Sequence, residues 1–336
     1  MTEQEPPQGV HLVGSIPLAG SEQVFRDVGG ALGDHVSRVP DGETGERLTW
    51  VRWLLPLLDS HPALQRVEGI MPYPLYGLRE GVDVADVGFG ELGYAREALA
   101  SYEVFARLKR EAVLPPHVRF QVGLPAAFDV CCVFLPDLIQ ALRPAVAAAL
   151  ANEVATIAEQ IPHRELAIQW EVCMEFAVLE NLVPLPIGLD DLVAWVADDA
   201  AGVPDDVEVG FHLCYGDYEH SHFVEPTDTD LLVQLANAIA RALRRDIGWF
   251  HLPVPRDRDD DQYFEPLQRL QTGASTEVHL GLVHHTDGLE GSARRLETAR
   301  RHLSRFGIAT ECGMGRRAPE TIPELLALHA RLCETA

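Results

Sequence analysis

"VGFHLCYGDYEHSHFVEPTDTDLLVQLANAIARALRRDIGWFHLPV" spans residues 209–254. It opens on a short apolar and aromatic run, "VGFHLCY" (209–215), and closes on another, "IGWFHLPV" (247–254). Between them, "DLLVQLANAIARALRR" (230–245) repeats its apolar residues at three- and four-residue spacing, the period of an amphipathic helix. A strand, a helix and a second strand in that order predict a parallel sheet with a helical crossover.

The alternation continues in both directions. Further strand-like runs are "HLVGSIP" (11–17), "SRVPDGE" (37–43), "RFQVGLP" (119–125), "LAIQWEV" (166–172), "VHLGLVH" (278–284) and "GIATECG" (307–313), which brings the total to eight. From the fourth run onward the strand ends, at 172, 215, 254, 284 and 313, advance at the pace of a βα unit. Eight such units in 336 residues predict an α/β chain folded as a (β/α)8 TIM barrel, a single domain over 1–336. The second interval, from 43 to 119, is too long for one crossover helix and contains "VEGIMPYPLYGLREGVDV" (67–84). This predicts an insertion after the second strand, at about 60–115, forming a loop or hairpin over the barrel mouth. A helix is expected in "YAREALASYEVFARLKREA" (94–112), two helices split at Pro144 in "LIQALRPAVAAALANEVATIAEQI" (138–161), and a solvated loop in "RDRDDDQYFE" (256–265).

Composition narrows the function. Lys and Arg number 27 against 51 Asp and Glu, a formal net charge of −24 that repels nucleic acid and anionic membrane surfaces. No apolar run approaches the ~18 residues of a membrane span, and "MTEQEPPQGV" does not read as a secretory leader. A cytoplasmic protein is expected, with its six cysteines reduced: free thiols, metal ligands or small core residues. Cys131, Cys132 and Cys173 lie in apolar runs and read as core. A homodimer is compatible with the sequence.

A barrel gathers the C-terminal strand ends on one face, where its chemistry is built. Those ends carry Ser15, Asp41 and Glu43, Trp170 and Glu171, His212 and Cys214, His251, His284 and His285, and Glu311 and Cys312. His212 and Cys214 are two residues apart on a strand, so both side chains share a face. Imidazole nitrogen and thiolate sulfur are favoured ligands of Zn2+. Cys312, at the eighth strand end, converges on the same point if the barrel closes, and His251 offers a fourth donor. Gly313 and Gly315 are expected to let backbone approach a metal or ligand. His220 and His222 are alternative imidazoles in the loop beyond the strand. The chain holds no phosphate-loop, zinc-protease, nucleophile-elbow or strand-linked dinucleotide motif.

At these residues the chain resembles the catalytic barrel of cobalamin-independent methionine synthase, in the superfamily that also holds uroporphyrinogen decarboxylase. "LVGSIPL" is similar to that family's first-strand "IGSFP", and "PDGETGERLTWV" to its H-G-E segment. "AIQWEV" stands in the place of its Q-[IV]-D-E-P, "FHLCYGDY" of its H-M-C-Y-S, and "ATECGMGRR" of its P-D-C-G-L-K-T-R. The resemblance implies that His212, Cys214 and Cys312 bind zinc, with His251 where the family has a glutamate. It implies that Ser15 and Glu43 hold an amino-acid substrate, that Trp170 replaces an aspartate beside the substrate amine, and that the metal keeps a substrate thiol ionised for methyl transfer. Arg316 and Arg317 are candidates for positioning the loop or a substrate carboxylate.

The expectation is a zinc-dependent transferase that activates a small-molecule thiol and alkylates it from an unidentified methyl donor. Glu171 and Asp41 are its candidate catalytic acid–base groups, and Ser15, Glu43 and Trp170 its substrate contacts. Two alternatives stand beside it. One is a metal-free decarboxylase or lyase using Asp41, His284 or His285 as proton donors. The other is a non-catalytic binding barrel in which Trp170, Tyr73 and Tyr76 stack on a ligand.

Overall fold

A computed structural model describes residues 6–69, 73–216 and 221–334. Ten strands are assigned among them: β1 (Val10–His11), β2 (Arg38–Pro40), β3 (Leu64–Val67), β4 (Leu75–Leu78), β5 (Arg119–Pro125), β6 (Leu166–Val172), β7 (Glu208–Leu213), β8 (Trp249–Pro253), β9 (Glu277–Val283) and β10 (Gly307–Thr310). Eight of these form one parallel sheet in the order β1-β10-β9-β8-β7-β6-β5-β2. A bridge between Val10 and Val36 joins its two ends, so the sheet closes into a (β/α)8 barrel with helices outside.

Each of the eight expected runs supplies one barrel strand. β1 is the shortest: only Val10 and His11 pair with β10, and the chain then leaves the ladder toward the mouth. The long second interval contains an antiparallel hairpin, β3 with β4, and a helix over Tyr94–Arg110. Residues 70–72, which fall between β3 and β4 in the sequence, and His220 lie outside the described residues.

Two local expectations are corrected. The chain does not break at Pro144; one helix runs Ile139–Gln160. Proline already has a helical φ, so the loss is the hydrogen bond to the residue-140 carbonyl and crowding in the second turn. Burial of Leu142, Val146 and Leu150 outweighs that loss, and Arg143 is clamped to Asp198 at 2.7 Å and Asp199 at 3.3 Å. The acidic stretch 256–265 is only partly a solvated loop. Tyr263 and Phe264 are fully buried, and the Tyr263 hydroxyl donates to the Pro253 carbonyl at 2.9 Å.

Strand alternation sorts the side chains. Ile168, Trp170, Val172, Val209, Phe211 and Leu213 belong to the apolar layer between strands and helices, where Phe211 and Phe250 stack with ring centroids 5.6 Å apart. The alternate residues fill the barrel interior, and they are polar to an unusual degree: His11, Gln121, Gln169, Glu171, His212, His251 and His279. At the lower end Arg38, 3% exposed, donates to Glu208 at 2.8 Å and Glu277 at 2.7 Å and lies 4.2 Å from the Trp249 ring. His11 bonds Gln169 at 2.8 Å and Gln121 donates to the Leu12 and Val13 carbonyls at 2.9 Å. His11 Nδ1, Gln121 Oε1, Arg38 Nε and His279 Nδ1 have no partner among the described residues. The bonds that are made hold the rotamers of the stem beneath the site.

Candidate metal centre

At the C-terminal ends of the strands, β7 delivers His212 and, one step past its last residue, Cys214; the turn after β10 delivers Cys312. Cys214 Sγ and Cys312 Sγ are 3.8 Å apart, and His212 Nε2 is 3.6 Å from Cys312 Sγ. All three donor atoms lie within 4.8 Å of one another. Both cysteines are free thiols. In a tetrahedral zinc site with Zn–S of ~2.3 Å and Zn–N of ~2.0 Å, paired sulfurs stand ~3.8 Å apart and sulfur stands ~3.5 Å from nitrogen. The donor spacing of this cluster therefore fits zinc.

His251 does not join the cluster. Its Nε2 lies 3.0 Å from the Thr310 carbonyl and its Nδ1 lies 2.6 Å from His212 Nδ1. A carbonyl only accepts, so His251 carries its hydrogen on Nε2, and its bare Nδ1 accepts from His212 Nδ1–H. The hydrogen-bond pattern thus assigns the lone pair of His212 to Nε2, the atom facing the sulfurs. Burial holds both rings neutral: it pushes His212 down to about 3, and burial reinforced by His212 depresses His251 further. His251 stands behind His212 and orients it, because its own two nitrogens are already engaged.

Trp170 is the second correction. Gln169 and Glu171 face the interior, so the residue between them points outward; Trp170 is 1% exposed, packs in the core and does not line the cavity. The residue that shares the face of Glu171 is Cys173, which does line it. Cys173 is register neighbour to Cys214, since Val172 pairs with Leu213. Cys214 is held well above the ordinary thiol range by its hydrogen bond with Cys173 and by burial, opposed by Cys312.

Beside the cluster is a cavity of about 630 Å3. Glu171 hangs over it with Oε2 3.7 Å from His212 Nε2, and Oε1 accepts from Gln169 at 2.6 Å. Glu43 comes from the turn after β2, on the other side of β5 from Glu171, on a backbone held at φ 45° by an Asp41 carboxylate that accepts its N–H at 2.8 Å. The two carboxyl groups meet over Gly123, where a Cβ would lie 2.8 Å from Glu43 Oε1 and 3.4 Å from Glu171 Oε1. Glycine there leaves the space they occupy. Burial, then Asp41, raises Glu43 to about 8, and burial, then Glu43, lifts Glu171 well above the carboxylate range.

Asp41 lines the same cavity, but Arg47 grips both of its oxygens, at 2.8 and 3.3 Å. Its geometry is that of a loop clamp. Ser15 Oγ accepts the Gly315 N–H at 3.2 Å, and a Cβ on Gly313 would come 2.5 Å from that oxygen. Gly313 and Gly315 thus make room for Ser15, joining the first strand end to the last. Tyr73 reaches the cavity, whereas Tyr76 turns away and donates to Asp59 at 2.9 Å. His284 Nε2 donates to the Val254 carbonyl at 2.8 Å, and His285 faces Glu324; neither lines the cavity. Three wall residues escaped the sequence analysis as site groups, Tyr94, Arg47 and Cys173; His222, named there as an alternative imidazole, also lines the cavity and is paired to Glu311 at 3.0 Å. Only Cys173 carried a signal, its i+2 spacing from Glu171.

No protein-family model matches this chain, and no curated protein matches it by sequence. Among solved structures it is similar to a B12-independent methionine synthase from Shewanella sp. W3-18-1 in complex with selenomethionine, at 14% identity and a TM-score of 0.62 over 98% of this chain and 97% of that one. It is similar to a protein provisionally assigned as a vitamin-B12-independent methionine synthase from Listeria monocytogenes, at 15% identity and a TM-score of 0.56 over 99% and 98% of the two chains. A methyltransferase from Methanosarcina mazei aligns at 13% identity and a TM-score of 0.53 over 98% and 95%. At such identities the shared property is the barrel.

Proposed function

We propose that this chain is a zinc-dependent transferase of the cobalamin-independent methionine synthase kind, which binds a small thiol at the cavity and alkylates its sulfur, most simply by methyl transfer. The observation that carries it is the convergence of His212 Nε2, Cys214 Sγ and Cys312 Sγ within 4.8 Å of one another, with both contacts of Cys312 at tetrahedral zinc spacing. The methionine synthase and methyltransferase neighbours support the same chemistry on the same barrel.

His212, Cys214 and Cys312 would hold the metal, and a three-ligand set is the form that keeps a position for substrate. Zinc bound there supplies a Lewis acid that lowers the pKa of a substrate thiol until it ionises at neutral pH. The chain's own residues do the rest. His251 fixes the tautomer and direction of His212. Glu43 and Glu171 bind the polar end of the substrate, and Glu171, within reach of the donor cluster, takes up the thiol proton. Arg47, held by Asp41, shapes the loop that presents Glu43. The apolar wall excludes water from the ionised sulfur, which sharpens it as a nucleophile.

Metal analysis tests the proposal. Purified protein is expected to hold near one equivalent of zinc, and Cys214→Ser and Cys312→Ser to lose most of it while keeping the barrel's circular dichroism. Full-length protein without zinc, or serine variants with unchanged zinc, would sink it.

A further inference from the structure

The cavity is much larger than a four-carbon amino-acid thiol requires, and two features of its wall are in tension with such a ligand. Val51, Val133, Ala177 and Val183 give it an apolar side, and Trp50, Tyr73, Tyr94 and Phe120 bring aromatic rings to it. Against this surface stand Glu43 and Glu171, facing each other, with no Lys or Arg ion pair on either among the described residues. The Tyr94 hydroxyl is buried beside them with no hydrogen-bond partner among the described residues. Two of the cavity's basic groups are committed elsewhere. Arg47 is gripped by Asp41, and His222 is paired with Glu311 and Glu225, each at 3.0 Å. Arg316 stands at the junction with an outer cleft lined by Glu46, Arg52 and Arg96.

We propose that this cavity binds an organic monocation, a ligand with an aromatic or branched alkyl body, one positive charge and no carboxylate. The cation would sit between the two carboxyl groups with its apolar substituents against the aromatic rings, where attraction to ring faces adds to the ion pair. A zwitterionic amino acid fits less well, because its carboxylate would enter next to Glu43 and Glu171 with the Arg47 guanidinium already bidentate on Asp41. The elevated Glu43 agrees with the assignment: burial and Asp41 outweigh the opposing pull of Arg47, and a bound cation would add the charge that favours its ionised form. The same chemistry has two sources, a quaternary onium that could donate a methyl group or a protonated amine attached to the accepting thiol. As a statement about substrate class it rests on this cavity serving the metal centre.

The test uses the zinc-loaded full chain and calorimetric titration with four probes of similar body: phenyltrimethylammonium, phenethylammonium, neutral tert-butylbenzene and zwitterionic phenylalanine. At least one of the two cations is expected to bind ten times or more tighter than tert-butylbenzene and phenylalanine, a factor of about ten being 1.4 kcal/mol. The cation that binds identifies the source. Glu43→Gln should remove that preference and Glu43→Asp keep most of it, with Glu171→Gln as the second variant if the first fails to fold. Equal binding of tert-butylbenzene, tighter binding of phenylalanine, or no binding of either cation would overturn the assignment. Zinc content measured on the same samples separates the two proposals: retained zinc without cation preference defeats this one alone, and cation preference without zinc defeats only the metal centre.

Discussion

Between His212 and His251 a single hydrogen bond, at 2.6 Å, decides which nitrogen is offered to the sulfurs. Residues that orient a metal-binding imidazole typically change affinity by about 10- to 100-fold when removed. His251→Ala is therefore expected to weaken zinc by that factor in chelator competition while still binding one equivalent; complete loss of stoichiometric binding would mean that His251 is itself a donor. Glu43 sets a pH dependence. Its folded pKa, about 8, lies above the ordinary carboxyl value of 4.5, so in that window the folded chain keeps a proton that the unfolded chain releases. The associated stability is fully present below the ordinary value and is lost as pH rises through the folded one. Glu43→Gln keeps a neutral group throughout, so its melting temperature relative to the parent protein should climb between about pH 5 and about pH 9. A constant difference over that range would contradict the assignment.

β6 shows how a strand divides its labour. Gln169, Glu171 and then Cys173 face the interior and the cavity, while Ile168, Trp170 and Val172 pack outward. Trp170→Ala should thus act as a core truncation, costing ~3–5 kcal/mol in denaturant unfolding, with zinc stoichiometry unchanged in the folded fraction. Loss of ligand binding at unaltered stability would place Trp170 in the site after all. The sequence already contained this parity: the spacing that put His212 and Cys214 on one face also puts Glu171 and Cys173 on one face and excludes Trp170. Motif position against the methionine synthase family pointed to Trp170, and strand period overrules it.

Across the molecule, the barrel interior works as a polar column with the metal candidates at its top and Arg38 at its base. Arg38 is buried between Glu208, Glu277 and the Trp249 ring, so removing it leaves Glu277 with His279 at 3.1 Å and Glu208 with Arg119 at 3.2 Å as their remaining partners. Arg38→Ala is expected to destabilise by ~1.5–3 kcal/mol, the loss of hydrogen bonds to charged groups that keep other partners, read from chemical denaturation. A loss under about 1 kcal/mol would mean that the pair behaves as an exposed one.

The sequence by itself determined the barrel, because eight apolar runs alternating with amphipathic helices leave few other ways to bury their faces. It also determined the core of the candidate centre, since an H-x-C strand end and a cysteine at the last strand end converge once the sheet closes. Tertiary structure alone decided what surrounds it. Whether His251 donates to a metal or to a carbonyl depends on where Thr310 of another strand lies. Whether Asp41 is free or clamped depends on Arg47 in the following turn, and Tyr94 comes to the wall from a helix in the insertion. Hydrogen-bond partners brought together by closure leave no periodic trace in a chain, whereas the faces of strands and helices do.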